Sequence, residues 1–278
     1  FVPTEKQFSE SNIFKFMKKH NISSLDELSE KSKNNLEWFW QSVERDIGIV
    51  WDSPYEKILD TSNGIAWSKW FVQGKTNIYK SSVEKFSKIN PEKIAYYFES
   101  EDGTKSKLTY SELDAKVSKF SNALKSLGVQ KGDVIAIYLP MIQEAIISIL
   151  AAAKIGAIQT VIFSGYSSES LCIRLRDCNA KFLIVSDGFS RKGKQVSQKE
   201  TVDIAINTTD IEKVILISYK GVDSYVESEK IIYLDKLLSA QNSICDTEIV
   251  DSEHPLFILY TSGTTGNPKG VIHTHGGF

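Results

Sequence analysis

The sequence predicts an α/β protein: parallel sheets covered by helices, preceded by a helical N-terminal extension. Two patterns lead there. Between about residues 77 and 220, β-prone apolar runs alternate with amphipathic helical segments, the rhythm of strands that must be crossed over by helices. Residues 1–76 lack that rhythm and carry helical aromatic patterning instead. With 278 residues the chain is long enough for one large or two modest domains and a substantial core. The expected division is an aromatic-rich extension over 1–76 and an α/β domain over 77–278.

Taken in order, the extension holds Phe14, Phe16, Trp38, Phe39, Trp40, Trp51, Trp67, Trp70 and Phe71, and with them every tryptophan of the chain. No basic face accompanies these rings, so they are read as packing groups and not as a stacking platform for bases. Ile94 to Glu99 and Lys107 to Thr109 flank Asp102-Gly103, a hairpin signal. Thr109 and Glu112 form a capping box, followed by Leu113, Val117, Phe120, Leu124 and Leu127 at helical spacing, with Gly128 as the stop. Strands are predicted over Val134–Leu139, Ile158–Phe163, Phe182–Val185 and Val214–Ile217. Between them lie helices over Ile142–Ile155, ended by Gly156, and Ser168–Cys178, ended by Asn179. Residues 221–255 are polar and acidic, with one short helix around Tyr233–Leu238, and are expected to cross the surface.

Bulk properties exclude several classes. Lys+Arg number 33 against 35 Asp+Glu, so neither nucleic acid nor an anionic membrane is indicated as the main partner. Cys172, Cys178 and Cys245 are scattered and odd in number, which suits reduced thiols and neither a disulfide framework nor a zinc site. The longest apolar stretch, Ala145–Ile158, is interrupted by Lys154 and falls short of the roughly 20 residues of a membrane span. There is no apolar signal core at the N-terminus, and the expected location is cytoplasmic.

The chemistry concentrates near the C-terminus, in YTSGTTGNPKGVIHTH from Tyr260 to His275. Thr261, Ser262, Gly263, Thr264, Thr265, Gly266, Lys269 and Gly270 combine three glycines, four hydroxyls and one ammonium directly after an apolar run. Glycine lets backbone N–H groups approach an anion, hydroxyls add donors, and lysine adds a compact positive charge. ATP or another phosphoester is the expected ligand. The segment is not a Walker loop, because Pro268 precedes Lys269 and β-prone Val271 and Ile272 follow; strand, glycine-rich hairpin loop, strand is the expected order. His273 and His275, on the second strand, are read as packing or hydrogen-bonding groups before general bases.

A second constellation lies at strand ends. Val161 to Tyr166 closes one predicted parallel strand, and Asp187 to Lys194 follows the next, so both should open onto the same edge of the sheet. Arg191, Lys192 and Lys194 around Gly193 form a compact cationic loop; composition alone fits a phosphate site and a solvated basic turn equally.

At these residues the sequence resembles the AMP-forming acyl-CoA synthetases of the adenylate-forming group. YTSGTTGNPKG matches that group's phosphate-loop signature, and the string from His254 to Phe278 is most similar to the acetyl-CoA synthetase branch. Trp70, Phe71 and Asn77 match positions of that branch's N-terminal extension. The resemblance implies the large N-terminal domain of the adenylate-forming fold, incomplete and truncated after the phosphate loop. It also implies a two-step reaction in which ATP, as its Mg2+ complex, and a small carboxylate give acyl-AMP and pyrophosphate, and CoA then gives the thioester. Acetate is favoured, with propionate or a small hydroxy acid next. It further implies CoA contacts at Phe163 and Gly165, near the adenine, and at Arg191, Lys192, Gly193 and Lys194, near the phosphates. Lys194 stands where the family commonly has arginine or lysine, and where it replaces an arginine the bidentate fork is lost. Lys269 is the residue assigned to catalysis, and no metal ligand is assigned. The family's adenine pocket, acyl pocket and distal lysine have no counterpart before Phe278, so these 278 residues alone are not expected to complete the reaction. An adenylating enzyme that uses a carrier-protein thiol and a non-catalytic nucleotide-binding module are the competing readings.

Overall fold

The continuous apolar runs at 134–138 and 182–186 put apolar side chains on both faces of a strand, which requires a sheet covered on both sides. The computed structural model describes residues 2–219, 221, 225–261 and 266–278. These form two compact units, Phe1–Ile49 with Tyr55–Val72, and Val50–Pro54 with Gln73–Phe278.

In the first unit, helices span Glu5–Glu10, Asn12–Lys19, Leu25–Asn34 and Leu36–Ile47. Thr4, Ser11, Ser24 and Asn35 cap their N-termini through side-chain oxygens, each satisfying a backbone N–H that has no helical partner. Met17, Ile22 and Leu28 form the small core, with Phe8, Phe16, Trp38 and Phe39 packed around it. An antiparallel pair, Lys57–Asp60 with Lys69–Val72, completes the unit, and Trp70 meets Trp40 edge-on at 5.6 Å. Trp51, counted above with this aromatic block, instead lies in a short strand of the second unit.

The second unit is built in the predicted order. An antiparallel hairpin, β1 (Ile94–Glu99) and β2 (Lys105–Thr109), turns at Gly103, whose φ of 81° favours glycine. Helix α1 (Tyr110–Ser126) starts at the Thr109–Glu112 capping box. Then follow β3 (Val134–Tyr138), α2 (Gln143–Lys154), β4 (Ile158–Val161), α3 (Ser168–Asp177) and β5 (Phe182–Ser186). A second hairpin, β6 (Gly188–Arg191) and β7 (Lys194–Ser197), leads to α4 (Lys199–Thr208), β8 (Lys213–Ile217), β9 (Ile231–Tyr233) and α5 (Leu234–Ser239). The unit closes on β10 (Pro255–Thr261) and β11 (Lys269–Thr274).

One seven-stranded sheet has the order β9-β8-β5-β3-β4-β10-β11, parallel throughout except for the antiparallel edge pair β10–β11. Ile135 and Ile137 pack with Ile184 and Ile215 against α1, α2 and α5. Ala136 and Tyr138 pack with Leu183 and Val185 against α3 and α4. Burying side chains of this size contributes about 1.5–3 kcal/mol each, so the two-faced core dominates the unit's stability. The polar stretch before the phosphate loop is less superficial than expected: Tyr225 and Leu234 are buried, and Val250–Asp251 forms a strand with Lys75–Thr76. Among the described residues, no helix is long and apolar enough to cross a membrane.

Candidate active site

All strands but β11 run the same way, so β4, β5 and β10 end at one edge of the sheet, where open α/β sheets carry their ligands. Three segments singled out by sequence emerge there: Phe163–Tyr166, the 187–194 stretch, and the phosphate loop.

The phosphate loop connects β10 to β11 as the expected antiparallel hairpin, with Thr261 opposite Lys269 and Tyr260 opposite Gly270. Ser262, Gly263, Thr264 and Thr265 lie outside the described residues. Gly266 has a φ of 90°, a conformation that costs other residues steric strain. Gly270 has a different reason to be glycine: a Cβ there would come within 3.1 Å of Ile258 Cγ2 and 3.4 Å of the Tyr260 ring. The Tyr260 hydroxyl donates to Asp177 Oδ2 at 2.7 Å, and burial and then this carboxylate hold its pKa well above the usual phenol value. The strand entering the loop is thereby pinned to the end of α3.

Neither histidine after the loop is placed as a base. His273 stacks on Phe257 at 4.6 Å. Buried His275 accepts from the Ile78 backbone N–H through Nδ1 at 3.1 Å and stacks on His254 at 6.0 Å. Burial, then the neighbouring His254 and Lys131, push its pKa down from 6.5 to about 4. The unfolded chain therefore binds the His275 proton more readily than the folded one. Its stabilising contribution is complete above pH 6.5 and is lost as pH falls toward 4, at up to about 1.4 kcal/mol per pH unit. His275→Asn keeps an acceptor for Ile78 without a titrating ring, so its unfolding free energy will fall less steeply over that interval. Urea denaturation at several pH values measures this, and an unchanged slope would show that other groups set it.

On the neighbouring strand end, Phe163 is 60% exposed, unusual for a phenylalanine beside a core, and its ring meets Tyr166 edge-on at 5.6 Å. Gly165 makes room for it, since a Cβ at 165 would sit 2.5 Å from the Phe163 ring. The Tyr166 carbonyl accepts from the buried Tyr138 hydroxyl at 2.8 Å, which fixes the turn from below. The result is an open aromatic face held in place by its surroundings.

The basic segment differs from the expected cationic loop: it is a two-residue β-hairpin. Lys192 and Gly193 both have positive φ, 51° and 72°, the geometry whose twist suits tight hairpins. The pairing sets Arg191 directly across from Lys194. Like charges opposite one another repel, and neither forms an ion pair among the described residues. Sequence reasoning gave no role to three residues that assemble this edge. Gln198 is 2% exposed, accepts from Ser186 Oγ at 2.6 Å and donates to the Ser164 carbonyl at 3.3 Å, joining the Phe163 turn to the basic hairpin. Fully buried Asp187 accepts from the Tyr219 N–H at 2.6 Å. The Glu101 carboxylate, from the β1–β2 turn, accepts from the Lys192 N–H at 2.6 Å. Gln198 is a single polar residue after a strand, Asp187 opens a segment singled out for its cations alone, and Glu101 is 91 positions from Lys192; local pattern gave no sign of these contacts.

Comparison with known proteins agrees with this geometry. Residues 83–278 match the family profile described as AMP-binding enzyme, and residues 25–81 match the acetyl-coenzyme A synthetase N-terminus. The chain belongs to the AMP-binding enzyme family. It is 42% identical over 271 residues to an acetyl-coenzyme A synthetase of Methanothrix thermoacetophila, covering 96% of this chain and 41% of that protein. It is 36% identical over 286 residues to the Pasteurella multocida acetyl-coenzyme A synthetase, covering 100% of this chain and 44% of the relative. Among solved structures, acetoacetyl-CoA synthetase from Streptomyces lividans superposes with a TM-score of 0.89 at 26% identity, over 99% of this chain and 43% of that one. The chain thus spans less than half the length of the relatives it matches.

Proposed function

We propose that the chain is the N-terminal part of a cytoplasmic, AMP-forming short-chain acyl-CoA synthetase, with acetate as the favoured acid and propionate or a small hydroxy acid next. The division into an extension over 1–76 and an α/β domain over 77–278 is part of this reading. The observation that carries it is the cross-strand register of Thr261 and Lys269 at the sheet edge where the Phe163 turn and the Arg191–Lys194 hairpin also emerge. A phosphate cradle and a separate anion-plus-aromatic site on one edge suit a reaction that uses ATP first and CoA second.

In the first half-reaction a carboxylate oxygen bonds to the α-phosphorus of ATP as the bond from that phosphorus to the bridging oxygen breaks. The electron pair leaves with pyrophosphate. The residues of 261–270 serve by positioning and charge neutralisation: hydroxyls of Thr264 and Thr265 and amides of Gly263 and Gly266 donate to the β- and γ-phosphates, Thr261, Ser262 and Gly270 complete the binding loop, and Lys269 closes it. Magnesium, as part of the substrate Mg-ATP, would supply further neutralisation. Among the described residues no group of three His, Cys, Asp or Glu side chains could hold a metal ion, so this chain's share is read from its own donors. In the second half-reaction the CoA sulfur bonds to the acyl carbon, AMP leaves with the electron pair, and the thiol proton passes to solvent. Phe163 and Gly165 offer a face to the adenine; Arg191, Lys192, Gly193 and Lys194 hold the phosphates.

Two measurements test this. Pyrophosphate release by the full-length protein, screened across small carboxylates, will be fastest with acetate; no carboxylate-dependent release would overturn the reading. Arg191→Ala in the same protein will raise the KM for CoA about 10- to 100-fold, the loss of one charge-assisted hydrogen bond, and leave adenylate formation nearly intact. Equal loss in both half-reactions would remove Arg191 from the CoA site.

A further inference from the structure

Arg174, in the last turns of α3, is unusual among the cations of this chain. It is only 8% exposed, yet it forms no ion pair with any described carboxylate. Buried cations are expensive to leave without an opposite charge, so its surroundings must both tolerate it and give it a purpose. The tolerance comes from two rings: its guanidinium lies 4.5 Å from the centre of Tyr166 and 5.5 Å from that of Tyr260. One terminal nitrogen donates to the Ser170 carbonyl at 2.7 Å and to Ser170 Oγ at 2.9 Å. The other terminal nitrogen and Nε have no hydrogen-bond partner among the described residues.

The purpose follows from where it sits. Arg174 lines a cleft of about 260 Å3 between α3 and the phosphate hairpin, whose opposite wall is Gly266 and Pro268. Exposed Glu169 stands in the lining as well, without pairing to it. The two tyrosines belong to the two candidate subsites, Tyr166 to the Phe163 turn and Tyr260 to the strand that enters the phosphate loop. The guanidinium is thus preorganised, fixed in direction and short of one negative charge beside the loop.

We propose that Arg174 is a further anion-binding residue of this site: its unused donors take the terminal phosphates of ATP through the cleft beside Gly266 and Pro268, and hold the leaving pyrophosphate. This rests on the adenylate-forming reading above. Its selectivity is for a polyphosphate over the AMP moiety that stays behind, so it acts in the first half-reaction alone.

The test uses the full-length protein, with inorganic pyrophosphate as probe. In carboxylate-dependent ATP–pyrophosphate exchange, Arg174→Gln will raise the KM for pyrophosphate and for ATP ten- to a hundredfold. Thioester formation from supplied acyl-adenylate will stay within threefold of the unaltered protein, which also shows that the variant is folded. Arg174→Lys, which keeps the charge but loses the planar stack, will fall between the two. Glu169→Gln, which removes the competing charge from the cleft, will lower the KM for pyrophosphate two- to threefold, and serves as the second variant if Arg174→Gln does not fold. An unchanged KM for pyrophosphate in both Gln variants, or a parallel loss of both half-reactions in a folded Arg174→Gln protein, would overturn the proposal. If the unaltered protein shows no carboxylate-dependent exchange at all, it is the adenylate-forming reading that fails.

Discussion

Lys269→Ala in the full-length protein will slow adenylate formation by about 10²- to 10³-fold, the loss seen when one preorganised transition-state donor is removed. Lys269 is the first residue of β11 and stands opposite Thr261, whose hydroxyl donates to the Lys269 carbonyl at 3.5 Å. Its backbone is therefore held by the sheet at the end of the phosphate loop. Negative charge grows on the pyrophosphate as it leaves, so the ammonium stabilises the transition state more than bound ATP, and the loss falls on kcat as well as on kcat/KM. Thioester formation from supplied acyl-adenylate, measured in the same preparation, will be little affected because pyrophosphate is by then gone. If supplied adenylate is also turned over a hundredfold more slowly, Lys269 does not serve the leaving group.

The second large effect is on stability. Asn77→Ala will destabilise the α/β unit by about 3 kcal/mol, from three hydrogen bonds at about 1 kcal/mol each, with more where a buried partner stays unsatisfied. Asn77 is fully buried; its Nδ2 donates to the Ala153 carbonyl at 2.7 Å and the Glu248 carbonyl at 2.9 Å, and its Oδ1 accepts from the Tyr79 N–H at 3.0 Å. One side chain thus ties the end of α2, the strand-bearing segment before the phosphate loop and the chain entering the unit. Asn77→Asp will be at least as damaging, since it points a carboxylate at two carbonyl oxygens inside the core. Thermal unfolding should show a fall of roughly 6–12 °C for a unit of this size. A shift under 2 °C would mean that water or a neighbouring group replaces all three bonds.

The two effects came from different kinds of information. Lys269 stands in a motif whose composition alone announces phosphate chemistry. Asn77 was marked only by resemblance, and its reason became visible when three segments distant in sequence met around it.

The elements followed the same division. Strands β3, β4, β5 and β8 and helices α1, α2 and α3 were legible because burial on both sheet faces leaves short continuous apolar runs and one-sided helix burial leaves a period of 3.6 in the sequence. Their ends shifted by a residue or two, as helix and strand ends fray. The β6–β7 hairpin was read as a loop because its residues are largely exposed, and an exposed ribbon leaves no apolar period. Helix α4 was passed over; the polar run before it offered no side-chain cap to announce it.

By itself, then, the sequence determined the α/β class, the parallel core and the hairpin form of the phosphate loop, since each depends on residue type at short spacing. Tertiary structure decided which segments share an edge, that Gln198 joins two of them, that Arg191 faces Lys194, and that Arg174 lies between two tyrosines without a carboxylate. Those facts depend on strand order and on side chains brought together from far along the chain, and neither leaves a mark in local pattern.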